Sequence, residues 1–425
     1  MRTQKPASHT LNQKEKGNTP DVTVARQSKT TLSHVEGDLR VERNTTVYAQ
    51  DKFVTVDGRV ETEGPVIFEG GLKACELHGR DGDLEIRGDL EIQDGIRVSD
   101  GSLHVSGALI ASDVDVDRHL EVLGPLTAKE LQAGSRIAIH GKLTADSVEV
   151  GGSLEAFGSA EVNDIEVGGA VRIAEQVNAK SIDVGGSVKV GGGSITGDID
   201  VGGTFESEGP LEFNEMDVGG SVRLKGNSSG TRIDVGGVFD VSGNLKFEDI
   251  DVGGTVEIDG DAEGEEIDVG GVLKVSGNLT LTGGLEVGGQ CRVGQVLTAN
   301  RIEIGGSLEA DLVKVSDFEV DGSTLTKRGV RATSIVVEDR GRVRGPLFGD
   351  SIRLGEKADV EAIYGKSIIL EEKCRCTMLH GVDVRIQEDC RIMGEVLYSG
   401  SLEADESVTF TVTPKKVEVL PAEPT

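Results

Sequence analysis

The sequence specifies an all-β, single-stranded solenoid with three faces. Three features carry that expectation: a repeat close to 17 residues, apolar residues in pairs two apart, and glycine at the places where a coil has to turn. The repeat is carried by the motif apolar–acid–apolar–Gly–Gly, spelled VEVGG, IEVGG, IDVGG, MDVGG, LEVGG or IEIGG. Its first glycine falls at Gly151, Gly168, Gly185, Gly202, Gly219, Gly236, Gly253, Gly270, Gly288 and Gly305, with spacings of 17 seven times, then 18, then 17. A fixed period of this size belongs to chains whose repeats bury their apolar faces against one another.

Within one unit the apolar pairs are Ile233 with Val235, Phe239 with Val241, and Leu245 with Phe247, before Ile250 opens the next unit. The pairs start 6, 6 and 5 residues apart. Alternation at period two is the mark of a strand with one buried face, and three such strands make one coil. The Gly-Gly doublet marks one corner; Gly158, Gly192, Gly209, Gly226, Gly243, Gly260 and Gly277 mark another. Corners require either a positive φ or close backbone approach, and glycine reaches both without a Cβ penalty. Glycine at this density also opposes a helix.

The pattern frays at both ends of the regular array, residues 148–310, but continues. Upstream, DLRVER, DLEIRG, SLHVSG, HLEVLG and RIAIHG extend it back to about Val35. Downstream, SIVVEDRGRV, SIRLGEKADV, SIILEEKCRC and DVRIQEDCRI place Ile335, Ile352, Ile368 and Val384 at spacings of 17, 16 and 16. The expectation is therefore one solenoid over residues 35–410 of roughly 20 coils of 16–18 residues, flanked by disordered polar tails at 1–34 and 411–425. At about 4.8 Å per coil, its length would be on the order of 100 Å.

Composition agrees. Glycine fills 60 of 425 positions, aromatic residues are 3 % and Trp is absent, so the core must be small and branched. A formal net charge of −30 argues against a nucleic-acid binder, which needs a basic face. Five Cys do not make a disulfide scaffold. With no apolar leader and no 18-residue apolar run, a cytoplasmic location is expected.

Short alternating strands, glycine corners and 16–18-residue coils resemble the bactofilins, the polymer-forming cytoskeletal proteins. The match is most specific over residues 335–404, with VRGPLFGDSIRLGEKADVEAIYGKSIIL within it. The array 148–310 is similar in style but richer in glycine, and the chain is longer than is usual in that family. The resemblance implies a right-handed triangular β-helix that assembles end to end without nucleotide.

The most unusual surface feature is the acidic position of the motif: Glu149, Glu166, Asp183, Asp200, Asp217, Asp234, Asp251, Asp268, Glu286 and Glu303. Flanked by inward residues, these side chains must point outward and stack. Neighbouring carboxylates ~5 Å apart repel by roughly 0.8 kcal/mol in water, less with salt. The ladder reads either as a solvated face copied by duplication or as a docking stripe for cations or a basic protein partner. Six residues on, Glu155, Arg172, Lys189, Glu206, Arg223, Asp240, Glu257, Lys274, Arg292 and Glu309 mix signs, so neighbours there can pair.

Catalysis finds no support, and no cofactor is expected. The seven His lack metal-ligand spacing, HExxH and GxSxG are missing, and VGGSVKVGGG lacks the phosphate-loop lysine and helix. Left-handed β-helix acyltransferases are the enzyme alternative, but the array leaves no room for a catalytic loop. Cys374 and Cys390, 16 apart, stack in one inward column, either as buried thiols or as a disulfide. The first 31 residues hold six basic and two acidic side chains, at most a weak tether to a membrane or to the ladder.

A nucleotide-independent structural polymer is thus expected, with strand edges at the ends of the solenoid as the joining surface. Val408, Phe410 and Val412 are the candidate contact, or else they fold back to cap the last coil. The alternative function is a monomeric acidic stalk or surface adhesin.

Overall fold

The structure, a computed structural model, describes residues 21–423, which fall into two compact units, residues up to Gly134 and residues from Ser135. Both consist of short β-strands; among the described residues there is no helix. Strands pair in parallel within each unit. The stacked coils form a β-solenoid of about 23 turns in all, against the roughly 20 expected. Strands inside the stack satisfy their backbone N–H and C=O groups on the coils before and after them.

In the first unit, one face stacks Val22–Val24, Leu39–Val41, Arg59–Glu63, Glu76–Arg80, Gly95–Ser99, Asp113–Val116 and Glu130–Ala133. Corresponding residues Val22, Leu39, Val60, Leu77, Ile96, Val114 and Leu131 lie 17, 21, 17, 19, 18 and 17 apart. The longest coil carries an excursion in the strand Thr45–Val56, whose register shifts between Tyr48 and Phe53. Lys52 at that excursion pairs with Asp89 at 2.7 Å, and Lys52 and Lys73 both lie over the Phe53 ring.

The second unit contains the regular array. Ile165, Ile182, Ile199, Met216, Ile233, Ile250 and Ile267 sit in register, one per coil. The same column runs on through Leu285, Ile302, Phe318, Ile335, Ile352, Ile368 and Val384 to Leu402. All of these except Leu402 are buried. The three inward pairs read from the sequence are buried as well: Ile233, Val235, Phe239, Val241 and Leu245 are fully enclosed and Phe247 nearly so. At roughly 1.5–3 kcal/mol per buried aliphatic side chain, stacking of this kind holds the unit together.

The glycine doublets turn by close approach, not by left-handed backbone. None has a positive φ. A Cβ on Gly168 would lie 2.5 Å from the carbonyl oxygen of Gly151, and one on Gly236 would lie 2.5 Å from that of Gly219. Each doublet therefore rests on the doublet one coil earlier. At the other corner Gly192, Gly226 and Gly243 use positive φ (84° at Gly226), whereas Gly158, Gly209, Gly260 and Gly277 do not. There, Asn227, Asn244, Asp261 and Asn278 form a side-chain ladder. Asn227 Oδ1 accepts from Asn244 N at 3.0 Å, Asn244 Oδ1 from Asp261 N at 2.9 Å, and Asp261 Oδ1 from Asn278 N at 2.7 Å. Two further glycines are space-fillers: Gly230 and Gly264 leave room for the rings of Phe213 and Phe247 on the preceding coil.

Strands reach further than the sequence pattern suggested. Val22–Val24 and Lys29–Leu32 fall inside the stretch 1–34 expected to be a disordered tail, and they pair with Leu39–Val41 and with Thr46 to Ala49. In Lys29–Leu32 the inward position before Leu32 is the polar Thr30, in register with the buried Val47, which hides the alternation there. Residues 1–20 lie outside the described residues. At the other end Lys415–Lys416 pairs with Leu397 and Tyr398, inside the expected tail 411–425; residues 424 and 425 are outside the described residues.

Candidate interaction surfaces

The acidic ladder is in register throughout. Glu149, Glu166, Asp183, Asp200 and Asp217 oppose one another on successive strands, followed by Asp234, Asp251, Asp268, Glu286 and Glu303. The first nine are exposed and Glu303 is half-buried, with Arg301 at 2.8 Å. The ladder has one rung more than the motif revealed, since Glu319 follows Glu303 in register without a glycine doublet behind it. Val336 and then Arg353 end it. Two residues earlier on each strand, Asp164, Asp198, Glu215, Asp249, Glu266 and Asp317 add a second acidic column, interrupted by Ser181, Arg232, Gly284 and Arg301. Partial burial, and then Asp217 and Asp251 on either side, push the Asp234 carboxyl above its ordinary range. Among the described residues no group of three or more His, Cys, Asp or Glu is placed to hold a metal ion.

The mixed column pairs as its spelling suggested. Lys189 meets Glu206 at 3.2 Å, Arg223 meets Asp240 at 3.2 Å, and Arg292 meets Glu309 at 2.9 Å; Lys274 also pairs with Glu257. Such exposed pairs contribute little to stability. Their effect is to set the mixed face apart from the acidic one.

A third surface escaped the sequence reading. Arg331, Phe348, Tyr364 and His380 occupy one outward register position on four successive coils. Strand spacing of ~4.8 Å is close to the stacking distance of aromatic rings. The Arg331 guanidinium carbon lies 4.1 Å from the Phe348 ring centre. Phe348 stacks on Tyr364 at 5.1 Å and 16°, and Tyr364 meets His380 edge-on at 5.2 Å. Ala332, Gly349, Gly365 and Gly381 run beside the rings in register, and a Cβ on Gly349, Gly365 or Gly381 would press on the inward Ile352, Ile368 or Val384 side chain. The rings, Ala332, Gly349 and Gly365 line a groove of about 340 Å³ together with Leu420, Pro421 and Glu423. Glu423 Oε2 accepts from Arg331 Nη1 at 2.9 Å. Phe348 is 4 % exposed and His380 7 %. His380 Nε2 lies 3.2 Å from Glu395 Oε2, whereas Nδ1 has no hydrogen-bond partner among the described residues.

The candidate joining residues lie on the last coil. Thr409–Phe410 pairs with Arg391–Ile392, Leu402–Ala404 with Val384 to Ile386, and Lys415–Lys416 with Leu397 and Tyr398. Among the described residues these three strands pair on one side only. Val408 and Phe410 are half-buried, while Val412 is 48 % exposed.

Cys374 and Cys390 are free, buried thiols. Cys374 Sγ donates to Gly355 O at 3.0 Å and Cys390 Sγ to Glu371 O at 2.9 Å. The neighbouring Cys390 sulfur and burial hold the Cys374 thiol well above the ordinary range. Among the described residues no helix is long and apolar enough to cross a membrane. Compared with known proteins, the chain matches no family model, no curated protein and no solved structure.

Proposed function

We propose that the chain is a structural, polymer-forming scaffold protein of the bactofilin kind, joining copies through the ends of its coils without nucleotide. One observation carries this reading. The last coil presents two short strands, Leu402–Ala404 and Thr409–Phe410, each with an unpaired edge among the described residues, and Phe410 on the second is half-buried. Unpaired N–H and C=O groups in register are a template for another parallel strand. Lysine blunts the third edge strand, Lys415–Lys416, so the junction falls to the other two.

Phe410→Arg places a charge in that junction. Negative-stain microscopy of the purified unaltered protein, without nucleotide, should show filaments, and the variant should show separate particles. Unbroken filaments from the variant would remove Phe410 from the junction. Separate particles from the unaltered protein at high concentration would favour the stalk.

A further inference from the structure

The segment that lines the aromatic groove is the chain's own C-terminal stretch. After Lys415–Lys416, which sits in register with Leu397 and Tyr398, Val417 N donates to Tyr398 O at 2.9 Å. The chain then turns across the coils instead of along them. Leu397 follows His380, Tyr364, Phe348 and Arg331 in register, and Glu423 reaches Arg331. Within residues 420–423 an aliphatic side chain and a proline line the ring-walled groove, and the carboxylate two residues further on takes the arginine. Aromatic grooves recognise extended proline-containing segments because such segments lose little entropy on binding. The arginine fixes direction by charge-assisted hydrogen bonding. The partnerless Nδ1 of the buried His380 is a further polar group on the groove wall.

We propose that this groove is a peptide-docking site, with the C-terminal segment of a second copy as its exchange ligand and the segment in cis as its resting occupant. Every copy carries both halves of the contact, so exchange between copies preserves each interaction made in cis. Only residues 417–419 link the edge strand to the groove. This short tether holds the segment at an effective concentration of about millimolar. Docking in trans therefore needs either a high local concentration of copies or a disabled segment in cis. The contact is lateral, on the flank of the coils, and does not rest on end-to-end joining.

The test uses full-length chains that all carry Phe410→Arg, so that end contacts do not report. One variant also carries Leu420→Asp and Glu423→Arg, which disables its own segment; a second carries Arg331→Glu, which disables its groove. A fluorescein-labelled peptide of residues 415–423 should bind the segment-disabled chain at least about tenfold more tightly than the chain with its native segment. Adding Arg331→Glu should abolish that binding, and a peptide with Glu423→Arg should restore it. Mixing the segment-disabled and groove-disabled chains, labelled as donor and acceptor, should give energy transfer that neither gives alone. Thermal unfolding of each variant guards against loss of fold. Absent peptide binding, or binding indifferent to Arg331, overturns the docking site. Peptide binding without energy transfer between the full chains overturns the second copy as ligand.

Discussion

The glycine array and the C-terminal coils of the second unit share one inward column but turn their corners by different chemistry. In the array, Gly168, Gly185 and Gly202 each pack onto a glycine carbonyl one coil earlier. In the C-terminal coils the equivalent corner is a left-handed residue with a side chain: Arg340, Lys357, Lys373 and Asp389, at φ of 63°, 61°, 60° and 57°. These corners stack through backbone bonds, with Arg340 N donating to Glu356 O at 2.7 Å and Lys357 N to Glu372 O at 2.9 Å. Outward positions diverge as well. The position that repeats a carboxylate in the array continues as Val336, Arg353, Ile369 and Arg385, and at another outward position the later coils carry an arginine and three rings. An aliphatic interior thus supports two unrelated surfaces, and the surface chemistry is decided at the corners and outward positions alone.

If the interior is equivalent in both regions, truncating it should cost the same. Ile250→Ala and Ile352→Ala should each destabilise by about 2–5 kcal/mol in chemical denaturation. A large gap between them would show that one region is packed more tightly. The corners should separate the regions more sharply. Gly236→Ala forces a Cβ against the carbonyl of Gly219 and should cost about 1–3 kcal/mol. Lys357→Gly relieves a left-handed side chain and should be neutral or stabilising by about 1 kcal/mol or less. Equal losses from both would erase the distinction between corner types.

The outward faces should give the smallest effect. Asp234→Asn removes one charge between two others and should stabilise by about 0.5 kcal/mol or less at neutral pH and low salt. The Asp234 carboxyl is raised, so the folded state takes up its proton at higher pH than the unfolded chain does. Its repulsive charge is present above the folded pKa and is relieved as pH falls through it. The difference between variant and parent should therefore close below about pH 4, and with added salt. A thermal-melt series over pH and salt reads this; a difference that grows on acidification would refute the repulsion.

Much of this was legible in the chain itself. Coil length, inward pairs, the acidic ladder and the paired mixed column all follow from period and alternation, because a solenoid turns sequence spacing directly into spatial register. What was missed lies where that conversion fails. Arg331, Phe348, Tyr364 and His380 stand at spacings of 17, 16 and 16, the same as those of Ile335, Ile352, Ile368 and Val384. Their differing chemistry hid the column. The fit of Phe213 over Gly230 needs the third dimension, since nothing in the spelling separates a space-filling glycine from a turning one. Residue 423 meets residue 331 across 92 positions, and no repeat announces such a return.

The glycine corners also make the array countable. Each doublet packs on the doublet beneath it, so a coil can be added or removed without altering the fit of the doublet corners that remain. Cutting out residues 237–253 would bring Gly236 into line with Gly254 in the next spelling of the same motif, so the doublet corner continues, while Gly264 loses the Phe247 ring it accommodates. Single residues cannot be gained or lost in this way, because a shift of one turns apolar side chains to water. The array is thus graduated in steps of about 4.8 Å, and its reach is a whole number of such steps, adjustable by the copying of one short segment.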